Sequence, residues 1–264
     1  MTFEAWAGTD VGKYRVQNED CHLIDKENGL ILVLDGMGGH LAGEVASRLA
    51  MDTISSFFGK YAGNRVKDMP VSEDYDGTFS NQANLLRRAI IEANRVVLAK
   101  SLESQQLSGM GSTVAGIAIR DYTASVINVG DSRIYLIRDG RMEQISVDHT
   151  LAEDQVGRGA MTAEEAEDSE LKHVLCSVLG VEPEIQMHMD ELSILPGDIF
   201  LLCSDGLTTV MKDDDILKGL MGNEIGPGAI ERLIAEANSR GGPDNVTIAL
   251  VRIPGGSPLG PSGL

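Results

Sequence analysis

Two apolar runs in this chain each end on Asp-Gly: Gly29-Leu-Ile-Leu-Val-Leu-Asp35-Gly36 and Asp198-Ile-Phe-Leu-Leu-Cys-Ser-Asp205-Gly206. Each delivers a carboxylate from a buried strand to its rim. An isolated charge in that position costs several kcal/mol or is forced to take up a proton, so it needs a compensating partner. Other acids stand in comparable settings: Glu19 and Asp20 after Asn18, Asp131 in Val129-Gly-Asp-Ser-Arg133, and Asp244 before Asn245 in Gly241-Gly-Pro-Asp-Asn245. If several of these converge, repulsion within about 4–6 Å drives protonation unless a multivalent cation compensates. Donor sets made only of oxygen select hard ions, Mg2+ or Mn2+, over zinc. Convergence depends on the fold, because the acids are spread along nearly the whole chain.

Asp-Gly is first of all a turn signal, and the chain has four such pairs, beginning at residues 35, 76, 139 and 205. Ile134-Tyr-Leu-Ile-Arg-Asp139-Gly140-Arg-Met-Glu-Gln-Ile145 reads as a hairpin with a tight turn. Asp76 lies in a polar stretch. Neither is assigned chemistry. Asp35 and Asp205 differ because each follows an apolar run that reads as a central strand.

The elements that must hold these acids follow from hydrophobic periodicity. Apolar or alternating runs at 3–8, 29–34, 113–119, 124–129, 133–137, 185–189, 199–203 and 246–253 read as strands. Helical spacing runs through Val45, Leu49, Ile54 and Phe58, again through Leu86, Ile90, Ala93 and Val97, and over 228–239. Thr162-Ala-Glu-Glu165 is a capping-box pattern that starts a short helix in an acidic insertion. The stretch 59–82 lacks periodicity and reads as an irregular excursion. Residues 254–264 are rich in Pro, Gly and Ser and are expected to form a disordered tail. This order of elements is that of an α+β protein, with antiparallel sheets covered by helices and a single domain over 1–253.

Composition narrows the function. The 264 residues carry 22 Lys and Arg against 40 Asp and Glu, a net charge of −18 that argues against a nucleic-acid partner. Most of that charge reads as a solvated surface. Three cysteines, none in a C-x-x-C pair, indicate neither a disulfide framework nor a zinc ribbon, and a reducing cytoplasm fits them. There is no apolar run of membrane-spanning length.

In order, the motifs Arg15-x-x-Asn-Glu-Asp20, Asp35-Gly-Met-Gly-Gly-His40 with Gly43-Glu44 and Ala46-Ser47, Gly109-Met-Gly-Ser-Thr113, Val129-Gly-Asp-Ser-Arg133, Asp148-His149, Ser204-Asp-Gly206 and Asp244-Asn245 are those of a known family. The chain resembles the type-2C metal-dependent Ser/Thr protein phosphatases in their compact bacterial form, over about residues 3–253. The resemblance implies a four-layer sandwich of two packed antiparallel β-sheets flanked by α-helices, with a metal site in a cleft at one end. It implies that Asp35 bridges two metals, that the Gly36 carbonyl binds one of them, and that Asp205 and Asp244 complete the other. Asp20 and Glu19 lie close, partly acting through water, with Asn245 beside them. Asp131 matches a ligand of a third ion shared with Asp205, and Arg15 matches a phosphate-binding arginine. Read without the motif, Arg15 is a surface partner of Glu19 or Asp20. The implied activity is hydrolysis of phosphoserine and phosphothreonine by a hydroxide bridging two Mn2+ or Mg2+ ions, with no phosphoenzyme. The implied substrates are proteins phosphorylated by a bacterial Ser/Thr kinase, met by a cytoplasmic monomer. The alternative is a silent member of the fold that binds a phosphoprotein without hydrolysing it.

Several positions depart from the pattern or leave it open. Animal members place a histidine directly after the Asp-Gly pair, where this chain has Met37. His40, three residues further on, is the candidate general acid, and could equally cap the next helix. His149 reads as structural. Residues 151–174 correspond to the flap beside the cleft, where negative charge would disfavour acidic phosphopeptides. Near Ser177 relatives often carry Arg. Cys176 and Cys203 read as buried packing residues.

Overall fold

The computed structural model describes residues 2–38, 42–69, 74–221 and 224–255. Along the chain come β1 (Glu4–Asp10), β2 (Cys21–Asp25), β3 (Leu30–Leu34), β4 (Gly36–Met37), α1 (Ala42–Tyr61), α2 (Asn81–Ser101), β5 (Gly111–Ser112), β6 (Val114–Arg120) and β7 (Thr123–Val129). There follow β8 (Arg133–Arg138), β9 (Arg141–Gln144), α3 (Leu151–Gly157), α4 (Ala163–Glu167), β10 (His188–Ser193), β11 (Ile199–Cys203), α5 (Asp205–Thr208), α6 (Asp213–Leu220), α7 (Pro227–Ser239) and β12 (Val246–Arg252). Two five-stranded antiparallel sheets, ordered β1-β12-β11-β8-β9 and β10-β7-β6-β3-β2, make up most of the strand content.

Three apolar clusters define four layers. Leu30, Leu32 and Leu34 pack toward α1 and α2, while Ile31 and Val33 face the other sheet. Phe200 and Leu202 meet them across the sheet-to-sheet core, and Ile199, Leu201 and Cys203 turn out toward α6 and α7. Burial on both faces is why β3 and β11 read as continuous apolar runs instead of alternating ones. The four-layer α+β sandwich expected from the motifs is the observed architecture.

Strand register gathers the acids at one end. Cys21 pairs with Leu34, so Asp20 and Asp35 leave their strands on the same side. Val114 pairs with Val129, and Arg133 with Cys203, which brings the 130–132 turn and Ser204-Asp205 to that same edge. Asp10 opposite Val246 adds Asp244-Asn245 and the loop carrying Arg15. Because antiparallel neighbours alternate in direction, every second connection falls at this rim.

Local expectations fare unevenly. Asp139 and Gly140 both have positive φ, 52° and 74°, and join β8 to β9 by a two-residue turn of the mirror-image type that suits strand twist. Thr162 and Glu165 form the full capping box at the start of α4. The strand expected at 185–189 instead runs His188–Ser193 along a sheet edge, and β2 and α6 were not expected at all. In the 59–82 stretch a 3-10 turn occupies Gly63–Asp68. Cys176 is exposed, contrary to the packing role expected of it, whereas Cys203 is buried. The tail expected from 254 lies outside the described residues beyond Gly255, as does His40.

Candidate metal centre

β3 ends at Leu34, and the Asp35 backbone N–H donates to Thr113 Oγ1 at 3.0 Å while Thr113 N donates back to the Asp35 carbonyl at 2.9 Å. These bonds fix the carboxylate where four other acids bear on it. Burial and then the charges of Asp20, Asp205, Asp131 and Asp244 hold the Asp35 carboxyl well above the ordinary carboxylate range. The Asp205 carboxyl is likewise raised, by burial and then by the charge of Asp244. Asp20 and Asp131 are each pushed up to about 7, burial being the larger cause in both. The sequence-predicted acids therefore converge.

The surroundings fix this cluster. Ser204 Oγ donates to Asp20 Oδ2 at 2.7 Å and accepts from Thr247 N at 2.9 Å, locking Asp20 between β11 and β12. Asn245 accepts from Glu19 N at 2.8 Å and donates to the carbonyls of Val11 and Gln17 at 2.9 and 3.0 Å. It thereby ties the Arg15 loop to the 244–245 turn. Glu19 is raised by burial against the opposing pull of Arg15. Gly36 admits no side chain, since a Cβ there would lie 2.1 Å from the Gly43 carbonyl oxygen and 2.6 Å from that of Glu19.

Whether these residues suit a metal can be asked of the oxygens themselves. Asp20 Oδ1 and Asp205 Oδ1 are buried with no hydrogen-bond partner. Two orphaned carboxylate oxygens in one cluster of five acids form a donor set that lacks a cation, because such groups otherwise carry a desolvation cost of several kcal/mol. Among the described residues, no three His, Cys, Asp or Glu side chains stand at ready-made ligating spacing. Hard ions also take carbonyl and water oxygens, so a carboxylate cage is not required. The donor set fits.

Arg15 lies at the rim, its side chain 53% exposed, with its guanidinium donating to Asp244 Oδ2 at 2.7 Å. That partner is Asp244 and not the Glu19 or Asp20 considered from sequence, although the Glu19 charge also acts on it. Sequence reading missed the contact that His149 makes: Gly130 N donates to His149 Nδ1 at 3.1 Å. Burial and then His188 push His149 down to about 4, so at neutral pH its ring is uncharged and Nδ1 is free to accept.

A model of the family "Protein phosphatase 2C" matches residues 13–231. The serine/threonine phosphatase stp of Listeria monocytogenes is 31% identical over 246 residues, covering 92% of this chain and 93% of that protein. The serine/threonine protein phosphatase PstP of Mycobacterium tuberculosis is 34% identical over 248 residues, covering 94% of this chain and 44% of the longer relative. A crystal structure of PstP superposes with a TM-score of 0.82 at 31% identity, covering 96% of this chain and all (100%) of that one. The PstP catalytic domain in complex with two manganese ions gives a TM-score of 0.78 at 32% identity, covering 96% of this chain and 98% of that one.

A helix-flanked double sheet with carboxylates gathered at one rim is the architecture of a metal-dependent phosphatase. With the family model spanning most of its length and the Listeria relative aligned over more than nine-tenths of both chains, the chain belongs to the protein phosphatase 2C family. It is a protein serine/threonine phosphatase.

Proposed function

We propose that the five-acid cluster is a binuclear Mn2+ or Mg2+ centre at which phosphoserine and phosphothreonine of protein substrates are hydrolysed. The observation that carries this reading is the pair of orphaned, buried oxygens on Asp20 and Asp205, two acids whose charges both bear on Asp35. Asp35 would bridge the two ions, the Gly36 carbonyl would bind one, Asp205 and Asp244 would hold the other, and Asp20 would bear on the first. A third, weaker ion would take Asp131 together with Asp205. When bound, such ions supply Lewis acidity toward phosphoryl oxygens and lower the pKa of water, so that attack in line with the leaving group needs no covalent phosphoenzyme.

The chain's own residues do the rest. Arg15 presents a planar fork suited to two phosphate oxygens at once, and Asp244 holds that fork at the rim until substrate competes for it. Asn245 fixes the loop from which Arg15 projects, and Glu19, pinned through its own N–H, borders the cluster. Ser204 holds Asp20 by its hydroxyl, so one carboxylate oxygen is engaged and the other stays directed at the centre. His40 is the proposed proton donor to the leaving alkoxide, on its sequence position alone. Substrates are phosphoproteins made by a Ser/Thr kinase, met by a cytoplasmic monomer. Among the described residues no helix is long and apolar enough to cross a membrane.

The test is phosphate release from a phosphothreonine peptide and an aryl phosphate, with Mn2+ or with chelator. Wild type should turn over both only with metal, and Asp205→Asn should lose at least about 100-fold on both, as expected when a group acting at the reaction centre is removed. Metal-independent turnover, or full activity in Asp205→Asn, refutes the reading.

A further inference from the structure

We propose that the exposed apolar side chains of Tyr14, Val16, Met37 and Val181 form the peptide-recognition surface beside the phosphate position, and that they select phosphoserine or phosphothreonine flanked by large apolar residues. The inference rests on the reading of Arg15 as the phosphate holder and of the acid cluster as the metal centre.

Val16 is the most exposed large apolar side chain among the described residues, at 95%, and Tyr14 is 77% exposed. Both adjoin Arg15 in the chain. Their exposure does not come from a loose loop. Lys13 N donates to the Gly242 carbonyl at 2.8 Å, and Asn245 Nδ2 donates to the carbonyls of Val11 and Gln17 at 2.9 and 3.0 Å. The segment that carries Tyr14, Arg15 and Val16 is thus anchored before and after them, and it holds two apolar side chains in water next to the guanidinium-bearing residue.

A second apolar pair adjoins Gly36. Met37 lies opposite Gly111 in the pairing of β4 with β5, and directly opposed residues of a strand pair project from the same face. A Cβ on Gly111 would lie 3.2 Å from Val181 Cγ2 and 3.3 Å from Val178 Cγ2, so that face is the one the two valines cover. Met37 and Val181 therefore share it across the bare glycine; Val178 is buried, whereas Met37 and Val181 are exposed. Hydrogen bonds fix this patch as well. Ser112 N donates to the Leu179 carbonyl at 3.1 Å, Leu179 N to that of Ser112 at 2.9 Å, and Gly180 N to Asn94 Oδ1 at 2.8 Å.

A phosphate held between Arg15 and a centre built on Asp35 and Gly36 is therefore bordered by apolar side chains at both of its holders. Single exposed apolar residues are ordinary on a protein surface. These border the two groups of one site, on pinned backbone, where the chain on either side of a phosphorylated residue must pass. Apolar neighbours of that residue gain by covering them, whereas polar neighbours give up water there without gaining a hydrogen bond. Because the surface is already ordered, little of that gain goes into fixing it.

The experiment uses the full chain at saturating Mn2+ and two phosphothreonine peptides that differ only in carrying Leu or Asn on both sides of the phosphorylated residue. An aryl phosphate serves as the substrate without flanking residues. The two peptides carry the same charge, so the acidic rim does not separate them. Wild type should hydrolyse the Leu peptide with a kcat/KM about tenfold or more above that for the Asn peptide. Val16→Ser, at a position too exposed to disturb folding, should cut that preference about threefold, and Val16→Ser combined with Val181→Ser should bring it within about twofold of unity. Both variants should keep aryl phosphate turnover within about twofold of wild type, because that substrate does not reach the surface. Equal kcat/KM for the two peptides in wild type, an unchanged preference in the variants, or an equal loss on the aryl phosphate overturns the specificity surface. A wild type that releases no phosphate from the aryl phosphate with Mn2+ refutes the underlying reading and the specificity with it, whereas release from the aryl phosphate without a Leu preference refutes the specificity alone.

Discussion

Gly36→Ala tests how closely the rim is built. The added Cβ would lie 2.1 Å from the Gly43 carbonyl oxygen, 2.6 Å from the Gly43 carbonyl carbon and 2.6 Å from the Glu19 carbonyl oxygen, all of them backbone. Ordinary carbon–oxygen contact is about 3.4 Å, so the start of α1 or the Glu19-Asp20 segment must retreat by roughly 1 Å. Retreat of Glu19 strains two hydrogen bonds to its carbonyl, from Gly36 N at 3.2 Å and from Ser47 Oγ at 2.6 Å. Overpacking costs about 1–3 kcal/mol and each weakened bond up to about 1 kcal/mol, for a total near 3 kcal/mol. In a protein of this size that lowers Tm by about 6–12 °C. The same displacement moves Asp20 relative to Asp35, and a misplacement of about 1 Å can cost about 100-fold in rate. Thermal unfolding and turnover of an aryl phosphate across a Mn2+ titration check both parts. A Gly36→Ala enzyme with Tm within about 2 °C of wild type and an unchanged Mn2+ requirement would refute the close-approach argument.

Two further outcomes follow from the same geometry. Arg15 is half exposed and paired with Asp244 across a rim open to solvent, so Arg15→Ala should change stability by less than about 1 kcal/mol while lowering kcat/KM about 10- to 100-fold; Arg15→Lys should not restore the loss, since an ammonium cannot make the two-pronged contact, and kinetics on a phosphopeptide read both. Burial pushes the Asp20 and Asp131 carboxyls up to about 7 in the metal-free fold, above the ordinary 3.8, so the folded state holds extra protons between those values. Their contribution is fully present below about pH 4 and lost as pH rises through about 7; denaturant unfolding with chelator should show stability falling over that window, and saturating Mn2+ should reverse the trend.

Much of this was legible in the sequence because burial on both faces leaves no ambiguity. Leu30–Leu34 and Ile199–Cys203 are apolar at every position, and each is a fully buried strand. The Asp139-Gly140 turn and the Thr162 capping box are local, so their residues suffice to specify them. Edge strands were harder: Cys21–Asp25 and His188–Ser193 are only half buried and carry His, Asp and Glu, which blurs any alternation. α6 opens on three consecutive aspartates and buries only Ile216 and Leu220, so its amphipathic signal is short. Cys176 was misjudged because apolar neighbours in sequence do not determine burial at a loop base.

At the site, residue types were readable and partners were not. Asp20 with Ser204, Arg15 with Asp244, and Glu19 with Asn245 each join residues from opposite ends of the chain, and strand register, not local pattern, brings them together. The His149–Gly130 contact is closer in sequence, yet its direction depends on a left-handed glycine and a neutral imidazole that no motif specifies.

The central claim is that the clustered carboxylates of Asp20, Asp35, Asp205 and Asp244 surround a pair of metal ions. Anomalous diffraction at the manganese absorption edge, from crystals grown with Mn2+, tests it most directly. Two peaks about 3.5–4 Å apart, with Asp35 between them and the Gly36 carbonyl on one, are the predicted result. A cluster without anomalous density at saturating Mn2+ would contradict it.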